Sequence, residues 1–281
     1  MNRRRFLGVA GAVAAGAVAT EGVLLAPRRL DVTRHRLPPR SSGRGRPSTA
    51  TPRVVVRVAV LVDLHLREVS SFHERIAAAV ADADVDLIVI VGDAIDRSDR
   101  LSALSEFLDL LPAGPQRLAT LGTWESWRGV DRGALRRTYE ASGPRLLVNE
   151  AAAVRPGVVV FGADDSLAGS PDLSAVPRDG SEVLLLAHCP DFRDRIPAGA
   201  GARIRAMIAG HTHGGQVAIG GWAPLRPPGS GPYVSGWYRG EGTDLFVSRG
   251  LGTSVVPVRL GATPELAIID WVPGSDDPGR G

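Results

Sequence analysis

The sequence predicts an α/β fold in which apolar strands alternate with amphipathic helices through the first half, and strands dominate the second. Three observations carry this. VVVRVAVLV (residues 54–62) and DLIVIVG (86–92) are nearly continuous, β-branched apolar runs, as strands buried on both faces require. SSFHERIAAAVADA, between them, places Phe72, Ile76, Ala79 and Val80 on one helical face. The chain has 281 residues and 44% hydrophobic content, enough for a sizeable core.

The first element is an address. In MNRRRFLGVAGAVAAGAVATEG, Arg3–Arg5 precede Phe6-Leu7 and an uncharged Ala/Gly/Val run reaches Thr20. With Ala17-Val18-Ala19 as cleavage triplet, these are the three parts of a secretory signal. RRRFL resembles a twin-arginine signal, with Arg3 and Arg4 as the pair. An uncleaved anchor over Phe6–Ala26 is the alternative, near the ~20 residues a span needs, although Glu21 interrupts it. Residues 1–26 are therefore expected to be a twin-arginine-type signal or N-terminal anchor. Export across the cytoplasmic membrane into the envelope or beyond follows. The export machinery and the cytoplasmic membrane surface are the expected partners.

LDVTRHRL, in residues 27–53, has the character of an edge strand, and the Pro/Ser/Gly/Arg-rich stretch from Pro38 to Arg53 that of a solvated linker. Residues 54–272 form the main domain. LSALSEFLDLL repeats Leu at helical intervals and RLATLG is a third strand. Past residue 140, RLLVN, GVVVFG, EVLLLAH, RIRAMIAG, TDLFVSRG and ELAIIDW are short and strand-like, and 273–281 is expected to be a disordered tail.

Charge excludes some partners. Every basic residue is Arg, and residues 1–53 hold 11 Arg against 2 acidic residues, while residues 54–281 hold 22 against 28. A mildly acidic domain argues against nucleic acid, which is bound by positive charge on the folded part. Cys189 is the only cysteine, so an intrachain disulfide is excluded; a small buried hydrophobe is its expected role.

Candidate metal ligands stand at the C-terminal ends of the apolar runs, where α/β folds carry their chemistry. VDLHL supplies Asp63 and His65, which an extended chain would point the same way. VGDAID supplies Asp93 and Asp96, LLAHCPD supplies His188, and AGHTHGGQV supplies His211 and His213. Taken singly, these fragments also read as a polar pair, an Asp-capped turn or a glycine-rich turn. Their order along the chain is what singles them out. Mixed carboxylate and imidazole donors suit manganese, iron or zinc rather than calcium, and the absence of thiolates excludes a cysteine-type structural zinc site.

This series (DxH, GDxxD, a lone His, GHTH) resembles the calcineurin-like metallophosphoesterase superfamily. The likeness is closest to its exported bacterial branch, related to UDP-2,3-diacylglucosamine pyrophosphatase-type phosphodiesterases, and it runs through LLVNE, HTHGGQV, YVSGWYRGEGTDLFVSRGLGTSVVPVRL and PELAIID. The resemblance implies a four-layer αββα sandwich with two divalent metal ions at the sheet edge. It implies Asp63, His65 and His213 on one ion, His188 and His211 on the other, Asp93 bridging, and Asp96 buttressing the loop behind them. Two such ions lower the pKa of a shared water, orient it and neutralise phosphoryl charge during in-line attack.

LGTWESW departs from the family pattern. Where that pattern has Asn as a ligand of the second metal, then His stabilising the transition state, this chain has Thr123 and Trp124. Threonine still offers a hydroxyl oxygen; tryptophan has only an N–H donor and shuttles no proton. General acid catalysis is typically worth ~10²–10⁴-fold, and a good leaving group needs less of it. Glu125 is expected to face solvent or cap backbone, with replacement ligand as the rarer role. Asp63, Asp93, His211 and Trp124 are thus the catalytic candidates. Arg249 and Tyr233 (or Tyr238) are the candidate contacts to an anionic headgroup. The expected function is hydrolysis of phosphodiester or pyrophosphate bonds in a phosphorylated small molecule or an envelope lipid or cell-wall phosphate. The alternatives are a catalytically silent metal-binding protein that recognises a phosphorylated envelope ligand and an anchored structural protein.

Overall fold

A computed structural model describes residues 16, 20–39, 55–218, 222–240 and 242–273. Most of the leader, the linker from 40 to 54 and the tail from 274 onward lie outside the described residues.

The apolar runs form two mixed six-stranded sheets. The first has the order β1 (Asp31–Leu37), β12 (Glu265–Trp271), β2 (Val56–Leu61), β3 (Leu87–Val91), β4 (Gln116–Thr120) and β5 (Arg145–Leu146). β2 to β5 are parallel, while β12 runs against β2 and alongside β1. The second has the order β10 (Gly236–Tyr238), β11 (Asp244–Val247), β9 (Ile204–Ala209), β8 (Glu182–Leu186), β7 (Val158–Gly162) and β6 (Glu150–Arg155). Only its outer pairs, β10·β11 and β6·β7, are antiparallel.

Alternation along each strand builds three cores. Val58, Val60, Val89 and Ile269 face Val160, Leu184, Ile208 and Phe246 of the opposite sheet. Their neighbours Ala59, Leu61, Ile88 and Ile90 face Ile76 and Val80 of α1 (Ser71–Asp82), Leu104 and Phe107 of α2 (Leu101–Leu110), and Leu135 of α4 (Arg132–Ala141). Both strand faces are buried, which is why these strands read as unbroken apolar runs. The outer face of the second sheet carries a thinner layer. Phe192 of a 3₁₀ segment (Pro190–Arg195), Ala200 of the one-turn α5 (Ala198–Gly201), Val176 and Tyr233 cover Phe161, Leu185 and Met207. Pro190 and Pro197 stand at the starts of those two segments, and proline tolerates a first turn but not a helix interior.

LDVTRHRL forms the edge strand expected of it: β1 lies at the end of the first sheet, paired along all of Asp31–Leu37 with β12. Two helices have no clear sequence signal, α3 (Thr123–Trp127) and α4. The latter is mostly polar, buries only Leu135 and Tyr139, and starts where Asp131 Oδ1 accepts the Ala134 amide at 2.9 Å. Ala-rich β6 and three-residue β10 are likewise additions to the sequence-based assignment.

Candidate metal centre

Strands β2, β3, β4, β8 and β9 deliver Asp63, Asp93, Thr123, His188 and His211/His213 to one edge of the sandwich. The extended geometry expected for Asp-x-His does not occur. Asp63, His65, Asp93, His211 and His213 all have left-handed backbones, with φ of 52°, 44°, 51°, 69° and 51°. Such conformations cost of order 1–3 kcal/mol each in non-glycine residues and persist where surrounding structure over-determines them. Here that structure is a lattice of backbone bonds: the Asp63 amide to Gly92 O at 3.2 Å, His65 to Asp93 O at 2.9 Å, and Leu66 to Ala94 O at 2.9 Å.

Glu125 completes the lattice from below. It is buried, and its carboxylate accepts the amides of Ala94 at 2.7 Å, Gly122 at 3.0 Å and Asp93 at 3.1 Å. Of the roles weighed for it, backbone capping is the one observed, and solvent exposure is corrected. Gly122 has to be glycine, because a Cβ there would collide with Asp93.

The imidazoles and carboxylates gather as two buried groups, Asp63–His65–His213 and Asp93–His188–His211, each with ligand atoms within 4.8 Å of one another. Asp93 Oδ2 lies 3.0 Å from His188 Nε2 and 3.9 Å from His65 Nε2, so it stands between them. Asp63 Oδ1, 3.7 Å from His188 Nε2 and 4.0 Å from His213 Nε2, is almost as central. The His211-x-His213 pair therefore divides between the two groups instead of pointing one way.

The outer ring nitrogens test whether this set suits cations. His65 Nδ1 faces Asp96 Oδ1 at 2.5 Å, His188 Nδ1 faces Val91 O at 3.0 Å, and His211 Nε2 faces Pro228 O at 2.6 Å. Each outer partner can only accept, so each outer nitrogen donates, and the inner nitrogen keeps its lone pair for a metal. The inner nitrogens face one another, His65 Nε2 with His213 Nε2 at 3.1 Å and His188 Nε2 with His211 Nδ1 at 3.3 Å. His213 differs, because its Nδ1 meets the buried Arg259 guanidinium at 3.3 Å.

Charge reinforces the point. Burial pushes Asp63 up to about 6, the His188 charge opposing and the Asp93 charge adding to it. Burial works against Asp93 also, but His188, His65 and the Trp124 amide hold it well below the usual carboxylate range. For His188, burial is outweighed by Asp93 and Asp63, which raise it well above an ordinary histidine. The carboxylates call for positive charge at this spot, either a proton on His188 or a cation. The residues fit two divalent ions.

Several other expectations change. The Thr123 hydroxyl donates to Asp165 Oδ1 at 2.9 Å and lies 3.4 Å from Cys189 Sγ, so only its remaining lone pairs are open to an ion. Trp124 acts through its backbone, whose amide donates to Asp93 Oδ1 at 2.8 Å; its indole stands edge-on to His65 at 6.1 Å. Arg249 is not a free substrate contact. It pairs with Asp31 at 2.6 Å and Glu265 at 3.4 Å, tying β11 to the β1–β12 seam. Tyr233 is buried and its hydroxyl donates to Asp194 at 2.6 Å, so it offers an anion no free donor, while the Tyr238 hydroxyl accepts the Val234 amide at 2.7 Å. Cys189 is fully buried, and burial pushes its thiol up.

Sequence reasoning missed Asp165 and Arg259. Asp165, in GADD just past β7, accepts Thr123, Cys189 and the Leu167 and Ala168 amides. Its place after an apolar strand was a usable signal. Arg259 lies in YVSGWYRGEGTDLFVSRGLGTSVVPVRL, a stretch that carries the resemblance, but nothing in its local pattern marked it as the partner of His213.

Fold and site together define a two-sheet α/β protein with a candidate dinuclear metal centre. No family model matches the chain. Among curated relatives it is 27% identical over 289 residues to the uncharacterized metallophosphoesterase YkuE of Bacillus subtilis, spanning 95% of this chain and 96% of that one. It is 28% identical over 230 residues to the phosphodiesterase YaeI of Escherichia coli, covering 77% and 82% of the two chains. An uncharacterized metallophosphoesterase of Aquifex aeolicus is 28% identical over 201 residues, 66% of this chain and 72% of that one. These names support the metallophosphoesterase superfamily and, with the two ligand groups, a metal-dependent phosphoesterase. A solved 5'-nucleotidase precursor from Thermus thermophilus, 13% identical with a TM-score of 0.42 over 77% of this chain and 55% of that one, is too distant to add to this.

Proposed function

We propose that the chain is an exported, metal-dependent hydrolase of phosphodiester or pyrophosphate bonds, acting on an envelope lipid or cell-wall phosphate. The observation that carries the hydrolase reading is the convergence of four buried histidines on two carboxylates, with the outer nitrogens of His65, His188 and His211 tied off by acceptors so that their inner lone pairs are free. Bound there, two divalent cations would supply a polarised water and neutralise phosphoryl charge.

The chain's own residues set the rest. Asp63, His65 and His213 form one ligand group, Asp93, His188 and His211 the other, and Asp93 Oδ2 reaches toward both. Asp96 orients His65, and Pro228 O orients His211 by occupying the nitrogen that a proton shuttle would need free. Trp124 supplies no general acid, which favours substrates with good leaving groups. Support for a membrane-side location comes from Val23, Leu24 and Leu25, 45–48% exposed at the end of the N-terminal apolar segment. Among the described residues no helix is long and apolar enough to cross a membrane.

The test is turnover of bis(4-nitrophenyl) phosphate by the full-length, manganese-loaded chain beside Asp93→Asn. The expected result is metal-dependent turnover that falls at least ~10³-fold in the variant, since one carboxylate serves both groups. Two bound cations without turnover would leave the second reading, a silent receptor for a phosphorylated ligand, which the lack of a protonatable side chain at Trp124 favours.

A further inference from the structure

Beside the metal centre lies a cleft of about 680 Å³ that none of the motifs accounts for. Asp96 forms part of its wall, and the same carboxylate holds the outer nitrogen of His65, Nδ1, at 2.5 Å, so the cleft adjoins the first ligand group across the Asp96–His65 contact. Four arginines line it, Arg67, Arg97, Arg100 and Arg128, against two acids, Asp96 and Asp99.

The charges are unevenly spent. Asp99 is shared by Arg97 at 3.1 Å and Arg100 at 3.5 Å, and Arg100 also donates to Arg67 O at 3.0 Å. Asp96 is engaged by His65. Among the described residues, Arg67 and Arg128 have no ion-pair partner. The Arg128 guanidinium carbon stands over the Trp124 ring, 4.7 Å from its centre, and Trp124 in turn stands against His65. The stack places one uncommitted guanidinium a single side chain away from the metal ligands, and Arg67 follows Leu66, one residue beyond His65.

A planar cation with five donors matches phosphate and carboxylate oxygens, and stacking on an aromatic ring reduces the freedom lost when it binds. We propose that this cleft is a substrate subsite for a second anionic group, flanking the scissile phosphate, held by Arg67 and Arg128. The substrate class is then a polyanionic phosphodiester, with two phosphates or a phosphate and a carboxylate joined by a short linker. This rests on the hydrolase reading for its orientation but not for its binding, and the two separate experimentally.

The kinetic arm compares the 4-nitrophenyl phosphodiester of glycerol with that of glycerol 3-phosphate on the full-length, manganese-loaded chain. A KM about tenfold lower for the doubly charged substrate is expected, and the preference collapses toward one in Arg67→Gln/Arg128→Gln and weakens with added salt. Arg137→Gln, an exposed arginine outside the cleft, retains it. The binding arm titrates propane-1,3-diyl bisphosphate and propyl phosphate calorimetrically into the Asp93→Asn chain. Tighter binding of the bisphosphate that depends on the two arginines sustains the subsite even if no diester is hydrolysed. Flotation with vesicles containing cardiolipin, against phosphatidylglycerol, separates a lipid-borne bisphosphate from a soluble one. The proposal is overturned if neither the soluble nor the lipid arm prefers two phosphates, or if the double variant keeps the preference.

Discussion

Glu125 shows how much of this site is backbone. Its carboxylate gathers three amides from two loops, and those loops hold Asp93 and start α3. Burial and the adjacent Asp93 charge push the carboxyl up to about 7, a cost accepted for the bonds it makes. Glu125→Ala leaves three buried donors unmatched, and the expected loss is about 3 kcal/mol or more. Calorimetry should show the fall in melting temperature, and metal analysis should show fewer cations bound at the Asp93 group. Unchanged stoichiometry would reduce Glu125 to a purely structural cap. At this scale the sequence spoke clearly about which residues converge. It was silent on conformation, because Asp and His tolerate a left-handed backbone without announcing it. The alternation assumed for Asp63 and His65 therefore failed even though the residues meet.

At the scale of elements, strands were the readable part. β3 is five buried residues, and nothing polar interrupts it. The helices α3 and α4 were not readable, since the first is little more than a turn long and the second is mostly polar and buries only Leu135 and Tyr139. The β1–β12 seam is an element whose stability can be titrated. Glu265 accepts Thr33 Oγ1 at 2.7 Å and the Arg249 amide at 3.0 Å. Burial alone would raise its carboxyl, but His35, the Arg249 amide and charge, and Thr33 bring it down to about 2. A depressed folded pKa contributes stability above the unfolded value and loses it as pH falls. The seam should therefore lose on the order of 3 kcal/mol between about pH 4.5 and pH 2. Unfolding in urea across that range should show a steep acid limb in the native chain and a flatter one in Glu265→Gln. Parallel limbs would mean another carboxylate dominates.

For the molecule as a whole, each ligand group draws from both sheets. Asp63 and His65 follow β2 and meet His213 beyond β9; Asp93 follows β3 and meets His188 and His211 beyond β8 and β9. Bound cations would tie the two halves of the sandwich as cross-links do. Chelation should lower the melting temperature, by roughly 5–10 °C per cation when metal is present at about 100 times its Kd. Asp93→Asn should respond less to chelator than the native chain. An equal response in both would place the stabilising ions elsewhere. The motif order made this two-sided recruitment legible in part. The roles of Asp165 and Arg259 were not, because each acts on a ligand only through folding of distant loops.

That division of ligands also sets an order in time. Residues 63–93 leave the ribosome well before residues 188–213, so a partly made chain holds two of the three members of the first group and one of the second. Neither ion can be captured until β9 has been synthesised and docked. Metal uptake would thus report that the strands of both sheets that carry the ligands have come together.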